Sequence, residues 1–378
     1  MIYLDNSATT FQKPETVYHA VAEGMRMYGG NPGRGGYSLA DQTAERVFLC
    51  RERAAELFGV PSPEQVVFTK NATEALNLAI KGCLKPGDHA VIGSMEHNSV
   101  LRPIHSLTRR GIITYSIAQA DARGVVTAQA VARVMTPKTK LIVINHMSNV
   151  CGSISPVEEI LELAKRRGVL CLIDAAQSGG ALPLELEPWS MIAFAGHKGL
   201  YGPQGTGGLC IGSEITLQPL LEGGTGSLSA EYDQPDLLPD RFESGTLSCP
   251  QLWGLCRGIE FVLSQGTENI LRHERDLTKL FRERMKGQQG LRLYPAQDTE
   301  GGGIISFSVE GMDSATFCTL LDKKASIAAR GGLHCAPLAH KTLGTLSGGL
   351  VRFSFSAFTT PQDVSKAAEA VETLLKKG

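Results

Sequence analysis

Between about residue 60 and residue 212 the chain alternates short, nearly continuous apolar runs with segments whose apolar residues recur at helical spacing. "QVVFT" is followed by the helical "TEALNLAIKG", "HAVIGS" by "NSVLRPIHSLTRRG", and "KLIVIN" by "SPVEEILELAKRRG". In the last of these, Ser155 is expected to cap the helix and Pro156 to take its first position, where a missing N–H is harmless. "VLCLIDAA", "MIAFAGH" and "GGLCIG" complete the set. Runs of this kind fit strands buried on both faces of a largely parallel sheet, and their alternation with helices predicts a wound α/β domain. After about residue 250 the texture changes. Helical "QLWGLCRGIEFVLSQG" and "NILRHERDLTKLFRERMKG" precede "GIISFSVEG", helical "SATFCTLLDKKA", a Gly-rich "ARGGLHCAPLAH", a strand "LVRFSFS" and a closing helix. This pattern predicts a second α/β domain beside the first.

Composition narrows the function without choosing it. The 378 residues, 42% hydrophobic and 20% charged with a net charge of −1, suffice for one large domain and a smaller one. Near-neutral charge gives no electrostatic reason to expect nucleic acid or an anionic membrane as partner. The apolar runs are strand-sized, short of a membrane span, and "MIYLDNSATT" does not read as a secretory signal. Nine cysteines occur singly, without a C-x-x-C pair, so neither a metal site nor a disulfide framework is expected, and reduced thiols in the cytoplasm are.

Ligands of wound sheets bind at the carboxyl ends of the strands. The polar residues that follow the runs therefore belong together: Asn71 and Thr73, Glu96 and His97, Asn145 to Asn149, Asp174 and Gln177, His197 and Lys198. Lys198, in "FAGHKGLYGPQGTGG", precedes its glycines, the reverse of a nucleotide-binding phosphate loop. A crevice lysine is otherwise a surface charge or a covalent anchor for a carbonyl cofactor such as pyridoxal phosphate. That cofactor requires a buried carboxylate at its pyridine nitrogen, a helix start for its phosphate and a ring on its face. Asp174, the turn "TKNATEALNL" with Thr73, and His97 are placed for these parts, although singly each reads equally as a turn residue, a helix cap and a structural histidine. Eight cysteines sit in or beside apolar or helical runs, whereas Cys335 lies between glycines and a proline with His334 and Arg330 near, the setting of a reactive thiol. In "LVRFSFS" Arg352 projects opposite Val351, Phe353 and Phe355.

The pieces "YLDNSATT", "NATEALNL", "MEHNS", "HMSNVCGSISP", "IDAAQS", "GHKGLYGPQGTG", "FESGT", "GGLHCA" and "VRFSFS" run in order along essentially the whole chain. In them the chain resembles the class V branch of the fold-type-I pyridoxal-phosphate enzymes, and more narrowly the cysteine desulfurases and selenocysteine lyases. The resemblance implies a fold-type-I transferase, with a large domain on a mostly parallel seven-stranded sheet and a smaller C-terminal α/β domain. The segments expected are an arm, 1–15, packing with the small domain; a large cofactor domain, 16–250; and a small domain, 251–378. Lys198 is implied as the Schiff-base lysine, Asp174 at the pyridine nitrogen, Gln177 near the ring hydroxyl, and His97 stacked on the ring and moving a proton. Thr73 and His197 are implied at the phosphate and Ala72 among the cofactor-binding residues, with Thr246 reaching in from the other subunit of a homodimer. Arg352 is implied as the clamp for the substrate carboxylate, with Asn149 helping at the substrate or the ring hydroxyl and Arg34 at the rim. Cys335 is the implied sulfur acceptor, turning L-cysteine into L-alanine and a persulfide that passes to a thiol or an acceptor protein. The alternatives are L-selenocysteine as substrate, another class V lyase or transaminase (which has no need of Cys335), and a non-catalytic scaffold. The chain departs from its nearest resemblances at Leu333, where a second histidine is usual, and at Ala195, where a phosphate-binding serine is common.

Overall fold

The computed structural model describes residues 1–33, 35–295 and 301–376. A short strand β1 (Ile2–Tyr3) and two helices, α1 (Glu15–Met27) and α2 (Ser38–Leu57), open the chain. The alternating stretch gives β2 (Val66–Thr69), α3 (Ala72–Cys83), β3 (His89–Gly93), α4 (Asn98–Arg109), β4 (Thr114–Ala118) and α5 (Ala128–Val134). It continues through β5 (Thr139–Asn145), α6 (Val157–Arg167), β6 (Leu170–Asp174), β7 (Ser190–Ala195) and β8 (Gly207–Ile211). Strands β2 to β8 form one seven-stranded sheet of order β2-β8-β7-β6-β5-β3-β4, parallel except at the two pairings of β8. The expected mostly parallel sheet is therefore present.

Its apolar runs are continuous because both faces are covered. Val91, Ile142, Ile144, Cys171, Ile173, Ile192 and Phe194 belong to one core. Their strand neighbours Ala90, Ile92, Leu141, Val143, Leu172, Met191 and Ala193 belong to the core on the other side. Alternate side chains leave a strand on opposite faces, so two covered faces turn a period-two pattern into an unbroken apolar run.

The start of α6 differs from expectation. The helix begins at Val157, and Pro156, with ψ of 79°, is its non-helical cap residue. Ser155 makes no side-chain cap; its N–H instead donates to His146 O at 2.9 Å, which carries the chain across the end of β5 before the helix turns away.

The remaining elements are α7 (Cys249–Gln265), α8 (Thr267–Met285), β9 (Leu291–Tyr294), β10 (Ile304–Val309), α9 (Ser314–Ala325) and β11 (Ile327–Ala328). They are followed by β12 (Arg330–Gly332), α10 (Pro337–Leu343), β13 (Leu350–Ser354) and α11 (Pro361–Leu375). β12, β13, β10 and β9 form an antiparallel sheet in that order. Helix α7 crosses residue 250 and sets Leu252, Trp253, Leu255 and Ile259 into the first core, against α1 and α2. The strand β1 pairs in parallel with β11, and Ser354 N–H donates to Leu4 O at 2.8 Å. From there the N-terminal segment runs on to His197, whose carbonyl accepts from Thr10 N–H at 3.0 Å. Among the described residues no helix is long and apolar enough to cross a membrane.

The smaller sheet packs on its helices through a phenylalanine cluster. Phe307, fully buried, meets Phe353 and Phe317 edge-on with ring centres 5.3 and 5.9 Å apart. Removing such a ring forfeits its transfer energy and leaves a cavity. Phe307→Ala is expected to cost about 3–5 kcal/mol, read as a lower urea midpoint with an unchanged slope.

Candidate active site

The sheet's topology gathers the polar residues that end its strands. Asn145 and Asp174 are paired neighbours at the ends of β5 and β6, and β7 delivers His197 and Lys198 beside them. β2 is antiparallel to β8, which is antiparallel to β7, so β2 also finishes at this edge and its end leads into Asn71 and α3. β8 starts here at Gly207, where a Cβ would lie 2.7 Å from Asn71 Cα and 2.8 Å from Phe194 O. Only glycine lets the first turn of α3 approach β7 this closely.

A cavity opens at this edge, lined by Ala72, Thr73, His97, Asn145, Asn149, Asp174, Gln177, His197 and Lys198 among others. Asn71 caps α3, its Oδ1 accepting from Glu74 N–H at 3.0 Å, so the helix's first N–H groups and Thr73 face the cavity's floor. Asp174 is 4% exposed and accepts from Ala176 N–H at 2.9 Å. Burial pushes its carboxyl up from the ordinary range, against the opposing pull of that N–H and of Lys198. Burial lowers Lys198 to about 8, Asp174 resisting and Arg352 and Arg330 assisting. An amine with that value is a base near neutral pH, which an ordinary lysine is not.

The imidazole of His97 is fixed by Ser99, a residue that sequence reasoning did not select. Ser99 N–H donates to His97 Nδ1 at 3.1 Å, while Ser99 Oγ lies 2.8 Å from the same nitrogen and 2.7 Å from Thr73 Oγ1. Nδ1 therefore carries no proton in the neutral ring, and the single ring N–H is on Nε2. Burial, with Lys198 and then Arg330 nearby, lowers His97 to about 4; burial and Lys198 do the same to His197. Gln177 Nε2 donates to Ser7 O at 3.0 Å, tying the N-terminal segment to the cavity wall.

Arg352 is 1% exposed, so its face of β13 is not solvated. It donates to Asn149 O at 2.9 Å and to the Asp5 carboxylate at 2.6 Å. Asp5, also not selected from sequence, sits in the "YLDNSATT" segment and reaches Arg352 because β1 pairs with β11 and Asp5 then bridges to Ser354 of β13. The Cys335 loop closes the site from the same side. Asn149 Nδ2 donates to His334 O at 2.8 Å, and Asn98 N–H, beside His97, donates to Cys335 O at 2.7 Å. Of the nine cysteines seven are buried and Cys335 alone is exposed, with Arg330 Nη2 at 4.0 Å from its sulfur. Thr246 does not line this cavity; it is exposed in a neighbouring groove with Lys70 and Glu74. Arg34 lies outside the described residues. Leu333 is 38% exposed and Ala195 is buried in the cavity wall.

Several buried polar atoms here have no partner: His197 Nδ1, Asn145 Oδ1, Asn149 Oδ1 and Arg352 Nε. Such orphans each cost about 1–3 kcal/mol, and the three on His197, Asn145 and Asn149, which line one cavity, mark a site shaped for a polar ligand. A helix start with a threonine and a ring nitrogen suits a phosphate, the buried carboxylate suits a protonated aromatic nitrogen, and the lysine suits a carbonyl. The donor set fits pyridoxal phosphate.

The buried neutral histidines carry a stability prediction. His97, His146 and His197 are all held near 4, below the ordinary value of about 6.5. Because the folded value is the lower one, the unfolded chain binds protons first as the pH falls. Stability is therefore intact above about pH 6.5 and declines toward pH 4, by up to about 1.4 kcal/mol per pH unit for each histidine. Urea midpoints measured from pH 7.5 to 4.5 should fall steadily below 6.5; a flat profile would contradict this.

The profile of the family Aminotransferase class-V matches residues 2–366. A probable cysteine desulfurase of Methanothermobacter thermautotrophicus is 33% identical, over 100% of this chain and 95% of the relative. The apo structure of the cysteine desulfurase from Thermococcus onnurineus superposes with a TM-score of 0.92 at 31% identity, covering 100% of this chain and 95% of that one. The Escherichia coli cysteine desulfurase CsdA gives 0.88 at 26% identity, over 100% and 95%. A strand-edge cavity with this donor set, matched along its whole length by such relatives, places the chain: it belongs to the class-V aminotransferase family, among the cysteine desulfurases.

Proposed function

We propose that the protein is a pyridoxal-phosphate-dependent cysteine desulfurase that converts L-cysteine to L-alanine and carries the sulfur as a persulfide on Cys335. The observation that carries this reading is the placement of the one exposed cysteine on a loop held by Asn149, a residue of the cavity that contains Lys198 and Asp174, and by Asn98, which lies between the cavity residues His97 and Ser99. A transaminase would use the same cavity without that loop.

In this reading Ala72, Thr73 and His197 hold the cofactor's phosphate, Asp174 its ring nitrogen and Gln177 its ring hydroxyl, with His97 over the ring and Lys198 as its covalent anchor. When bound, the cofactor supplies a carbonyl electrophile and an electron sink. Arg352 orients the substrate carboxylate through the N–H that has no partner, and Asn149 helps at the substrate or the ring hydroxyl. Lys198, as free amine, removes the proton from the substrate's Cα. The Cys335 thiolate attacks the substrate sulfur; the S–S bond forms as Cβ–S breaks, Cβ takes a proton, and Lys198 returns the proton to Cα to leave alanine. His97, with its ring proton on Nε2, is the donor placed to move a proton at the substrate. A thiol or an acceptor protein then takes the terminal sulfur.

The reading carries three further parts. The chain divides into an arm, 1–15, a large domain, 16–250, and a small domain, 251–378, with α7 tying the last two together. It works as a homodimer in which the exposed Thr246 serves the partner's cavity. It resides in the cytoplasm, a setting supported by nine free thiols. Alanine production from L-cysteine by the cofactor-loaded protein, with excess thiol reductant, tests the reading. Sustained turnover is expected; a yellow protein that forms alanine from L-selenocysteine alone, or from neither amino acid, contradicts it.

A further inference from the structure

The loop that presents Cys335 is held in an unfavourable backbone shape. His334 and Cys335 are consecutive left-handed residues, with φ of 49° and 55°, although neither is glycine. Something must keep them so. Two backbone carbonyls are held by Asn149 and Asn98, as described above. The third hold is on the imidazole of His334, which is buried.

That imidazole heads a hydrogen-bonded series. His334 Nε2 lies 3.3 Å from Arg330 O, His334 Nδ1 lies 3.3 Å from His340 Nε2, and His340 Nδ1 lies 2.8 Å from Thr345 Oγ1. The two rings stack with centres 5.5 Å apart, and His334, His340 and Thr345 are 4%, 0% and 6% exposed. Burial, with Arg352 close, keeps His334 down to about 2, and burial also lowers His340, so both rings are neutral. The proton positions then follow from the ends inward. A carbonyl only accepts, so His334 Nε2 carries that ring's one proton and its Nδ1 is an acceptor. His340 must therefore donate from Nε2, which leaves its Nδ1 to accept from the Thr345 hydroxyl. The series runs in one direction, from Thr345 through His340 and His334 to the carbonyl of Arg330, and every member is satisfied.

We propose that His340 and Thr345 are positioning residues for sulfur transfer: through His334 they hold the strained loop that sets Cys335 at the cavity mouth. The inference rests on the assignment of Cys335 as sulfur acceptor. Neither residue touches the cavity, so neither acts on the cofactor or on substrate binding. Thr345→Val keeps the side chain's shape and removes the donor. His340 is then free to take the other tautomer, whose Nε2 accepts, and the contact with His334 Nδ1 becomes one between two acceptors. The loop loses its third hold.

The test uses the cofactor-loaded protein and Thr345→Val, Thr345→Ser and His340→Ala. In the parent, nitrogen NMR of the histidine rings should show both His334 and His340 protonated at Nε2. Hydrogen exchange over residues 330–340 should speed up in Thr345→Val and His340→Ala and return to the parent rate in Thr345→Ser. Single-turnover sulfur transfer should fall about 3–10-fold in Thr345→Val and about tenfold or more in His340→Ala, as expected for a lost buried hydrogen bond and an orphaned buried group. The cofactor spectrum and the L-cysteine concentration that half-saturates its change should stay as in the parent. A proton on Nδ1 of either ring, or a Thr345→Val protein with unchanged exchange and transfer, overturns the proposal. So does a variant that loses cofactor in step with transfer. If the parent forms no alanine, the desulfurase reading fails while the NMR and exchange results still decide whether the series holds the loop.

Discussion

Lys198→Ala is expected to lose both the visible colour of the cofactor-loaded protein and its formation of alanine. Lys198 leaves the end of β7 into a cavity that holds no other lysine among its lining residues. Burial brings its amine to about 8, so near neutral pH an appreciable share is unprotonated; an ordinary lysine at about 10.4 would hold less than about a thousandth in that form. The substitution removes the covalent anchor and the base together. Loss of a positioned base alone lowers a rate by about 10²–10⁴-fold, and the fall here should be at least that. Lys198→Arg keeps the charge but offers no amine base, and should be as inactive as alanine. Absorbance after gel filtration and alanine release measure both effects. Retained colour with retained turnover in either variant would remove Lys198 from the centre of the account.

Cys335→Ser separates the two halves of the site. Its side chain is exposed and makes no packing core, so the variant should fold, bind cofactor and change its spectrum on adding L-cysteine as the parent does. Alanine formation should disappear, because a serine hydroxyl is not ionised near neutral pH and is a poor nucleophile toward sulfur. None of the seven buried cysteines is placed to substitute. Burial pushes the thiols of Cys83 and Cys171 up to about 12, which keeps them protonated and inert. The two variants thus predict different phenotypes from one cavity: no cofactor in the first, cofactor without turnover in the second. Turnover that survives in Cys335→Ser would point to a class V reaction without an enzyme-bound sulfur.

Much of this site was legible in the sequence because the sheet fold converts order along the chain into position in space. Apart from "GGLCIG", whose strand β8 starts there, each apolar run ends at one edge, so the residues after "VVFT", "VIG", "LIVIN", "LCLID" and "MIAFA" meet. The eight cysteines placed in apolar or helical runs are buried or partly buried, for the same reason. What the sequence did not reveal are contacts that depend on docking. Asp5 and Arg352 are 347 residues apart and pair because β1 lies on β11 and Asp5 bridges to Ser354 of β13. Ser99 is two residues from His97, yet its role appears only when α4 brings its hydroxyl to Thr73 of a different helix. The start of α6 moved by one residue because the Ser155 amide is taken by β5's continuation, a tertiary demand that local capping signals do not encode. His340 and Thr345 were invisible for a different reason. Their meaning lies in the direction of a hydrogen-bond series, which needs three distances and the protonation of two rings.

The central claim is that Cys335 receives sulfur from L-cysteine, and peptide mass spectrometry tests it most directly. The cofactor-loaded protein is given L-cysteine without reductant, quenched, alkylated and digested. The account predicts the mass of one additional sulfur atom on the peptide containing Cys335, removed by a thiol reductant, with the other cysteine peptides unchanged. Alanine formed with Cys335 unmodified, or the added sulfur on a different cysteine, would contradict it.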